Sequence, residues 1–225
     1  MIIVLLGPPG VGKGTQGARI SQHFGIPAIS TGAMFREAIA KGTPLGKELQ
    51  KYHIERGEYV PDNVVIRAIE ERITQPDCSN GFLLDGFPRT VAQAEAFAQL
   101  LEQQQRRLTA VLDFEAPQEL LIRRFSGRRE CPNDGSTYNL ETNPPRRPGL
   151  CDLCGAPLVM REDDRPEVVQ RRLEAYKEKT APLINYYRDK GVLYSVDADA
   201  DPDVVFERVL ALLNRLRGEA GKEIQ

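Results

Sequence analysis

The glycine-rich stretch GPPGVGKGT, residues 7–15, contains the residue types that most directly indicate chemistry. It follows a short apolar run, residues 2–6, and opens a segment with helical periodicity. Glycines let backbone N–H groups surround a phosphate, and the N-terminus of the following helix adds a positive dipole. Lys13 supplies a mobile positive charge for the β- and γ-phosphates. The stretch therefore predicts a nucleotide site made by Gly10, Val11, Gly12, Lys13, Gly14 and Thr15.

The loop alone does not decide what is done with the nucleotide. The strict form of the motif has Ser or Thr directly after the lysine, whereas Gly14 separates Lys13 from Thr15 here. A glycine-rich turn without a ligand is the alternative, and the strand and helix around the loop argue against it. A switch, a motor and a kinase all stay open.

Several arginines lie outside ordinary surface patterns: Arg36, Arg89, Arg124, Arg128, Arg161 and Arg172. Of the alternatives left open above, a kinase must bring like-charged phosphates together, and it needs positioning and positive charge more than covalent assistance. The planar guanidinium group suits phosphate oxygens. Each arginine taken singly has the alternative of a solvated helix face or a surface ion pair. We assign that alternative to the neighbouring Arg123, Arg129 and Arg171.

A cysteine cluster follows in a segment without helical periodicity, residues 127–164. Cys131 and Asp134 form a C-x2-D pair, and Cys151 and Cys154 form a C-x2-C pair. Two such pairs on facing turns predict a tetrahedral structural zinc site with no open position for a substrate. Gly135 and Gly155 follow the two pairs, as the turns of a zinc knuckle require. The alternative is a segment with three thiols that has lost its fourth ligand, with polar hydrogen bonds in place of the metal. The remaining cysteine, Cys78, is predicted to be a spare thiol.

Carboxylates complete the candidate set. Asp85 ends an apolar run and is predicted to hold Mg²⁺ through water, with a turn-capping role as the alternative. Asp163 and Asp164 follow Arg161 and are predicted to orient arginines, or else to form a solvated acidic turn. The two histidines, His23 and His53, are predicted to be structural or exposed.

Apolar runs alternate with helical segments along the chain. Strands are predicted at residues 2–6, 27–30, 81–84, 109–114 and 191–196, and helices at 15–24, 61–73, 90–105, 117–125, 166–188 and 202–216. This alternation predicts an α/β fold with a doubly wound, five-stranded parallel sheet. Residues 30–60 contain helical patterns without a strand and, like 127–164, are predicted to be inserts. The core is then 1–29, 61–126 and 165–225, with a polar, frayed tail at 218–225.

Composition bounds the partners. A net charge of −2 gives no general attraction to nucleic acid or to an anionic membrane. We recognise no apolar run long enough for a membrane span and no signal peptide, and we therefore expect a cytoplasmic protein.

The motifs in their order resemble those of adenylate kinases with a long lid. They are GPPGVGKGT, STGAMFR (30–36), GEYVPD (57–62), GFLLDGFPRT (81–90), Gln93, RRFSGRR (123–129), REDDRPEVVQRRL (161–173) and TAPL (180–183). The GKGT form with its extra glycine is the form this family uses. The resemblance reaches from the first strand to about Val196, and it includes the zinc-type lid. Some members of the family have an aspartate as the last zinc ligand, whereas here the aspartate takes the second ligand position.

The resemblance implies the reaction MgATP + AMP ⇌ 2 ADP, and hence adenine nucleotide homeostasis, in a monomer with Mg²⁺ and structural zinc. It assigns the transfer to Lys13, Arg89, Arg124, Arg128, Arg161 and Arg172. It adds Arg124, Arg128, Thr137 and Tyr138 to the ATP site. It assigns AMP to Thr31, Gly32, Arg36, Glu58, Tyr59, Val60, Gly86, Phe87, Pro88, Arg89, Gln93, Arg161 and Arg172.

Two rival interpretations stay open from the sequence. One is a kinase of the same architecture that acts on another nucleoside monophosphate; the Gln93 amide, which can pair with an adenine edge, favours AMP. The other is a nucleotide-binding regulator whose zinc module binds RNA or a protein. The scattered arginines and the acidic balance argue against the second.

Overall fold

The computed structural model of the chain describes residues 1–52 and 58–220, with side chains to residue 218. His53 lies outside the described residues, as do residues 53–57 of the predicted insert 30–60 and the end of the predicted tail, residues 221–225.

A five-stranded parallel sheet forms the centre, in the order β2-β3-β1-β4-β7. Its strands are β1 (Ile2–Leu6), β2 (Ala28–Ser30), β3 (Phe82–Asp85), β4 (Ala110–Glu115) and β7 (Leu193–Asp197). The predicted fold class is therefore confirmed. A separate antiparallel pair, β5 (Arg128–Glu130) with β6 (Thr137–Asn139), lies in the predicted lid and was not predicted as strands.

Helices connect the parallel strands. They are α1 (Lys13–Phe24), α2 (Thr31–Ala40), α3 (Pro44–Leu49), α4 (Asp62–Ile73), α5 (Val91–Gln103), α6 (Gln118–Gly127), α7 (Pro166–Ala175), α8 (Pro182–Asp189) and α9 (Pro202–Ala220). Within the described residues, none of these helices combines the length and the apolar character that a bilayer crossing requires.

Both faces of the sheet are buried, which explains why its strands are apolar without strict alternation. In β1, Ile2, Val4 and Leu6 pack into one core cluster with Phe87. Ile3 and Leu5 point the other way and pack into a second cluster with Phe114. Successive side chains of β1 therefore point to opposite faces of the sheet and enter two different core clusters.

The predicted single helix over residues 166–188 is wrong. The structure divides it into α7, a π-helical turn at Tyr176–Thr180, and α8. Pro182 has no backbone N–H and its ring opposes a continuous helix, so the preceding turn widens and the Ala181 N–H donates to the Tyr176 carbonyl at 2.9 Å. The helical periodicity of the sequence continued across this proline and did not indicate the break.

Candidate active site

The phosphate loop connects the buried β1 to the start of α1, which begins at Lys13. Gly7 has a φ of 130°, and a Cβ at this position would lie 2.5 Å from the Phe114 carbonyl oxygen. Only glycine fits there, because the loop must turn directly against β4. The Lys13 ammonium donates to the carbonyls of Gly7 at 2.8 Å and Pro8 at 2.9 Å, so it lies over the loop.

Positive charges surround Lys13. The pKa of Lys13 is lowered to about 8, chiefly by burial; the charge of Asp85 opposes this shift, and the charges of Arg89, Arg172 and Arg128 add to it. Four cationic side chains from distant parts of the chain therefore act on one another in one place. Asp85, at the end of β3, pairs in register with Leu5 of the strand that enters the loop.

Two adjacent carboxylates hold two of these arginines. Arg128 donates to both oxygens of Asp164, with its Nε at 2.6 Å from Oδ2. Arg172 Nη1 lies 3.0 Å from Asp163 Oδ2 and 3.3 Å from Asp164 Oδ1. Both guanidinium groups face the ring of Phe125, at 4.9 and 5.4 Å from its centre. The predicted orienting role of Asp163 and Asp164 thus has a direct structural counterpart.

Burial and charge set the pKa values of this cluster. Burial lowers the pKa of Arg172 to about 10, against the opposing charge of Asp163. For Arg128, burial is the largest single effect and acts downward, but the hydrogen bonds to Asp164 together with the charges of Asp164, Asp163 and Glu130 outweigh it and raise the pKa. Arg161 Nε lies 3.2 Å from Glu130 Oε2 and 3.4 Å from Asp163 Oδ1. Burial, and next the charge of Arg161, lowers the pKa of Arg36, which places Arg36 within reach of the same cluster.

A cavity opens between α2, the segment before α4 and the turn after β3. Besides Phe35 and Val65, its lining comprises Thr31, Gly32, Glu58, Tyr59, Val60, Gly86, Arg89 and Gln93. Apart from Phe35 and Val65, every residue in this lining is one that the family resemblance assigned to AMP. Phe87 and Pro88 are instead buried in the turn beneath the cavity.

Hydrogen bonds fix the floor of this cavity. Thr31 Oγ1 donates to the Gly86 carbonyl at 2.9 Å, and Arg89 Nε donates to the same carbonyl at 2.8 Å. Thr180, at the end of the π-helical turn, donates from its hydroxyl to the Arg89 carbonyl at 3.0 Å and also lies 3.0 Å from the Tyr59 hydroxyl. The proline-induced turn in the 166–188 region thus contacts the cavity wall.

Arg124 links the phosphate loop to the loop after β7. Its Nη1 donates to the Val11 carbonyl at 2.8 Å and its Nη2 to the Ala198 carbonyl at 2.9 Å. The predicted ATP residues on β6 lie further away in the lid: Tyr138 accepts from the Asp152 N–H at 2.8 Å and its hydroxyl lies 3.5 Å from Cys151 Sγ, while Thr137 is exposed. Their contact with ATP stays a prediction.

The four predicted metal ligands come together. The donor atoms of Cys131, Asp134, Cys151 and Cys154 all lie within 4.8 Å of one another. Cys131 Sγ lies 3.4 Å from Cys154 Sγ, and Cys151 Sγ lies 3.2 Å from Asp134 Oδ2. Tetrahedral zinc with bonds of about 2.3 Å to sulfur places its ligand atoms roughly 3.8 Å apart. The donor set and its spacing therefore fit a zinc ion.

The two halves of this cluster have the same turn. The Gly135 N–H donates to the Cys131 carbonyl at 3.0 Å, and the Gly155 N–H donates to the Cys151 carbonyl at 2.9 Å. Both glycines have positive φ angles, 74° and 73°. Apart from the cluster, the lid has only a small core of Tyr138, Ala156 and Leu158 around two of the cysteines.

Comparison with known proteins agrees with this geometry. A family model described as adenylate kinase matches residues 5–192, which is most of the chain. The chain belongs to the adenylate kinase family. An adenylate kinase of Moorella thermoacetica is 55% identical over 206 residues, 91% of this chain and 94% of that protein. Those of Archaeoglobus fulgidus and Kosmotoga olearia are each 48% identical, covering 96% of this chain and 100% of either protein.

As an adenylate kinase, the chain is a nucleoside monophosphate kinase that transfers a phosphoryl group reversibly between MgATP and AMP to give two ADP. Mg²⁺ accompanies ATP in this family.

One carboxylate that contacts a cavity residue was not singled out from the sequence. Asp62 accepts hydrogen bonds from Gln93 Nε2 at 2.7 Å and from Thr90 Oγ1 at 3.0 Å. Asp62 lies at the start of α4, where an acidic residue is common because it stabilises the helix. Its position in the sequence therefore did not indicate a role in a site.

Proposed function

We propose that phosphoryl transfer takes place where the phosphate loop meets the cavity, with ATP on the loop and AMP in the cavity. The observation that supports this best is that Lys13 lies over the phosphate loop, Arg89 lines the cavity, and the charges of Arg89, Arg128 and Arg172 all act on the Lys13 ammonium. Their positive charges offset the repulsion between the phosphates of two nucleotides, which is the main electrostatic demand of phosphoryl transfer.

In this proposal, the carboxylates keep the arginines in position until phosphates arrive. Asp163 and Asp164 hold Arg128 and Arg172, while Glu130 and Asp163 hold Arg161. A phosphate oxygen can take over a guanidinium N–H from a carboxylate oxygen at little cost, because both are charged acceptors of similar geometry. The transfer arginines are therefore pre-oriented.

The two nucleotides bind at different elements of the fold. Residues 10–15 and Arg124 bind ATP, the latter by bridging the loop to the segment after β7. The cavity residues with Arg36 and Arg161 bind AMP, and Gln93 contacts its adenine. Asp85, at the end of β3, would hold Mg²⁺ through water, and the ion would supply charge neutralisation at the phosphates.

The proposal includes structural zinc in the lid, held by Cys131, Asp134, Cys151 and Cys154. Because the lid has a very small apolar core, a metal is the main source of stability available to it. Elemental analysis of protein purified without added zinc tests this. We expect about one zinc per chain; a content near zero with unchanged thermal stability would contradict the assignment.

We also propose that the chain works as three parts: the core (1–29, 61–126 and 165–225), the AMP-binding insert (30–60) and the lid (127–164). Lid closure to exclude water is established behaviour of adenylate kinases. A metal-braced lid can move as one body about hinges near its two ends. We further expect a cytoplasmic monomer that does not bind nucleic acid or membranes, consistent with its net charge of −2.

The proposed site is tested by Lys13→Met together with a comparison of acceptors. We expect the variant to lose transfer almost completely while keeping its melting temperature, because the methionine keeps much of the side-chain length and removes the charge. The wild type should prefer AMP to CMP, UMP and GMP in kcat/KM. Retained activity of Lys13→Met would contradict the site, and equal turnover of CMP would contradict the acceptor assignment.

A further inference from the structure

The Gln93 side-chain amide is held by two partners of opposite polarity. Its oxygen accepts from the Arg89 backbone N–H at 2.8 Å, and its nitrogen donates to Asp62 Oδ1 at 2.7 Å. Gln93 is 1% exposed, so its polar atoms depend on these neighbours. Only one orientation of the amide satisfies both partners, because the flipped amide would set donor against donor at Arg89 and acceptor against acceptor at Asp62.

Asp62 is itself fixed by the start of the next helix. Its second oxygen, Oδ2, accepts from Thr90 Oγ1 at 3.0 Å, and Thr90 in turn accepts from the Gln93 backbone N–H at 3.1 Å as the N-cap of α5. Asp62 belongs to α4, in the first turn. The Asp62 carboxylate thus connects the N-terminal ends of α4 and α5. These two attachments fix its position opposite the Gln93 amide.

The amide retains one N–H and one oxygen lone pair beyond these contacts, and Gln93 is part of the cavity lining. Adenine offers a donor at its 6-amino group next to a ring-nitrogen acceptor, which pairs with an amide in one orientation. Hypoxanthine has the same size but an acceptor at position 6 and a donor at N1, so it pairs only with the flipped amide. Amide orientation therefore selects between two bases of equal shape.

We propose that Asp62 is a specificity-determining positioning residue: by accepting from Gln93 Nε2, its carboxylate fixes the amide so that the cavity favours adenine over 6-oxopurines. This inference rests on the proposed adenine contact of Gln93. Asp62 acts through Gln93 and does not touch the substrate. The hydrogen bond to a charged acceptor is stronger than a neutral one, so Asp62 dominates the choice of orientation.

The test compares kcat/KM for AMP with kcat/KM for IMP in Asp62→Ala. We expect the ratio of kcat/KM for AMP to kcat/KM for IMP to fall about tenfold. Without the Asp62 carboxylate, the flipped Gln93 amide no longer places its oxygen against another acceptor. The KM for AMP should rise while kcat changes little, as for lost uniform binding. Asp62→Asn keeps an acceptor for Nε2 and should keep the ratio within about threefold of the wild type.

Asp203→Ala is the matched control, since Asp203 is also an acidic residue in the first turn of a helix, α9, with its own ion pair to Arg19. It should leave the ratio unchanged. If Asp62→Ala does not fold, Asp62→Glu retains the charge at the helix start and displaces the carboxylate by one methylene; the same fall in ratio is expected.

The outcomes separate the inference from the proposed function. An unchanged AMP:IMP ratio in folded Asp62→Ala, with both substrates affected equally, would overturn the positioning role. If Gln93→Ala lowers the ratio in the same experiment, the adenine contact stands and only the role of Asp62 falls. If Gln93→Ala also leaves the ratio unchanged, the adenine contact itself is wrong.

Discussion

Arg128 and Arg172 share one carboxylate, Asp164, whose side chain is fully buried. Two cations and one buried anion would leave excess positive charge in a poorly solvated place, and Asp163 supplies the second anion. This near balance of charge explains how the chain can fold with Arg128 and Arg172 side by side. It also means that removing one carboxylate leaves a guanidinium group without its partner.

The first residue-scale prediction concerns Asp164. Asp164→Asn should lower the free energy of unfolding by roughly 3 kcal/mol, because breaking a buried pair leaves an uncompensated charge. Chemical denaturation measures it. Glu162→Gln, which affects an exposed pair with Arg165 on the same short turn, should cost less than about 1 kcal/mol. Equal losses in the two variants would contradict the structural role of the buried carboxylate.

The ionisation of Lys13 predicts how ATP use depends on pH. Burial lowers the pKa of Lys13 to about 8, so the free enzyme loses this positive charge well below the ordinary lysine value of 10.5. Because phosphate binding needs the charged form, kcat/KM for ATP should fall about tenfold per pH unit above about pH 8. Lys13→Arg, whose charge persists to higher pH, should be slower but lack this fall. A wild-type profile that stays flat to about pH 9.5 would contradict the shift.

The charged residues that the sequence proposes for the site stand in recognisable motifs, whereas Asp62, for which we propose a role through Gln93, does not. Lys13, Asp163 and Asp164 stand beside glycines or arginines whose order is informative. Asp62 stands where helix starts commonly have an acidic residue. Its partner Gln93 is 31 positions away, and only the fold brings the two together.

Among the elements, a short π-helical turn between α7 and α8 contributes to the wall of the cavity. The π-helical turn before Pro182 presents Thr180 to the cavity wall, where it contacts both Arg89 and Tyr59. The sequence showed the proline but had helical periodicity on both sides of it. Whether a proline kinks, widens or ends a helix depends on packing, which periodicity does not report.

The knuckle gives a prediction for the lid. Cys151→Ser should lose the zinc and lower the melting temperature by roughly 4–8 °C, corresponding to a loss of about 2 kcal/mol in a chain of this size. Asp134→Cys should keep the zinc, because a set of four thiolates is an equally good donor set. Elemental analysis and calorimetry check both. Cys78→Ser is a control outside the lid, and it should retain the metal; zinc retained in Cys151→Ser would contradict the ligand assignment.

The contact between α2 and α3 gives another prediction. A Cβ at Gly46 in α3 would lie 1.9 Å from the Ala38 carbonyl oxygen of α2, so the two helices can meet only with glycine there. Gly46→Ala should destabilise the protein by about 2 kcal/mol or more, as overpacking does. At Gly218, near the end of α9, an added Cβ meets nothing within 4 Å. Gly218→Ala should therefore be neutral or slightly stabilising in thermal melting; equal effects would contradict the close approach.

At the scale of the molecule, alternation of strands and helices correctly predicted a parallel sheet, and the structure places the strands in the order β2-β3-β1-β4-β7. The local sequence does not determine this strand order, because the order depends on the direction in which each crossover connection leads to the next strand. It places β1 between β3 and β4, so that the phosphate loop, Asp85 and the turn beneath the cavity meet at one edge. Ligands of such sheets bind at the carboxyl ends of the strands.

The most direct test of the two-nucleotide site is a calorimetric titration with a bisubstrate mimic, two adenosines joined by five phosphates. If the loop and the cavity bind neighbouring nucleotides, one mimic should bind per chain, and ATP and AMP should each compete with it. Lys13→Met should weaken this binding strongly without changing the fold. Two mimics per chain, or competition by ATP alone, would contradict the account.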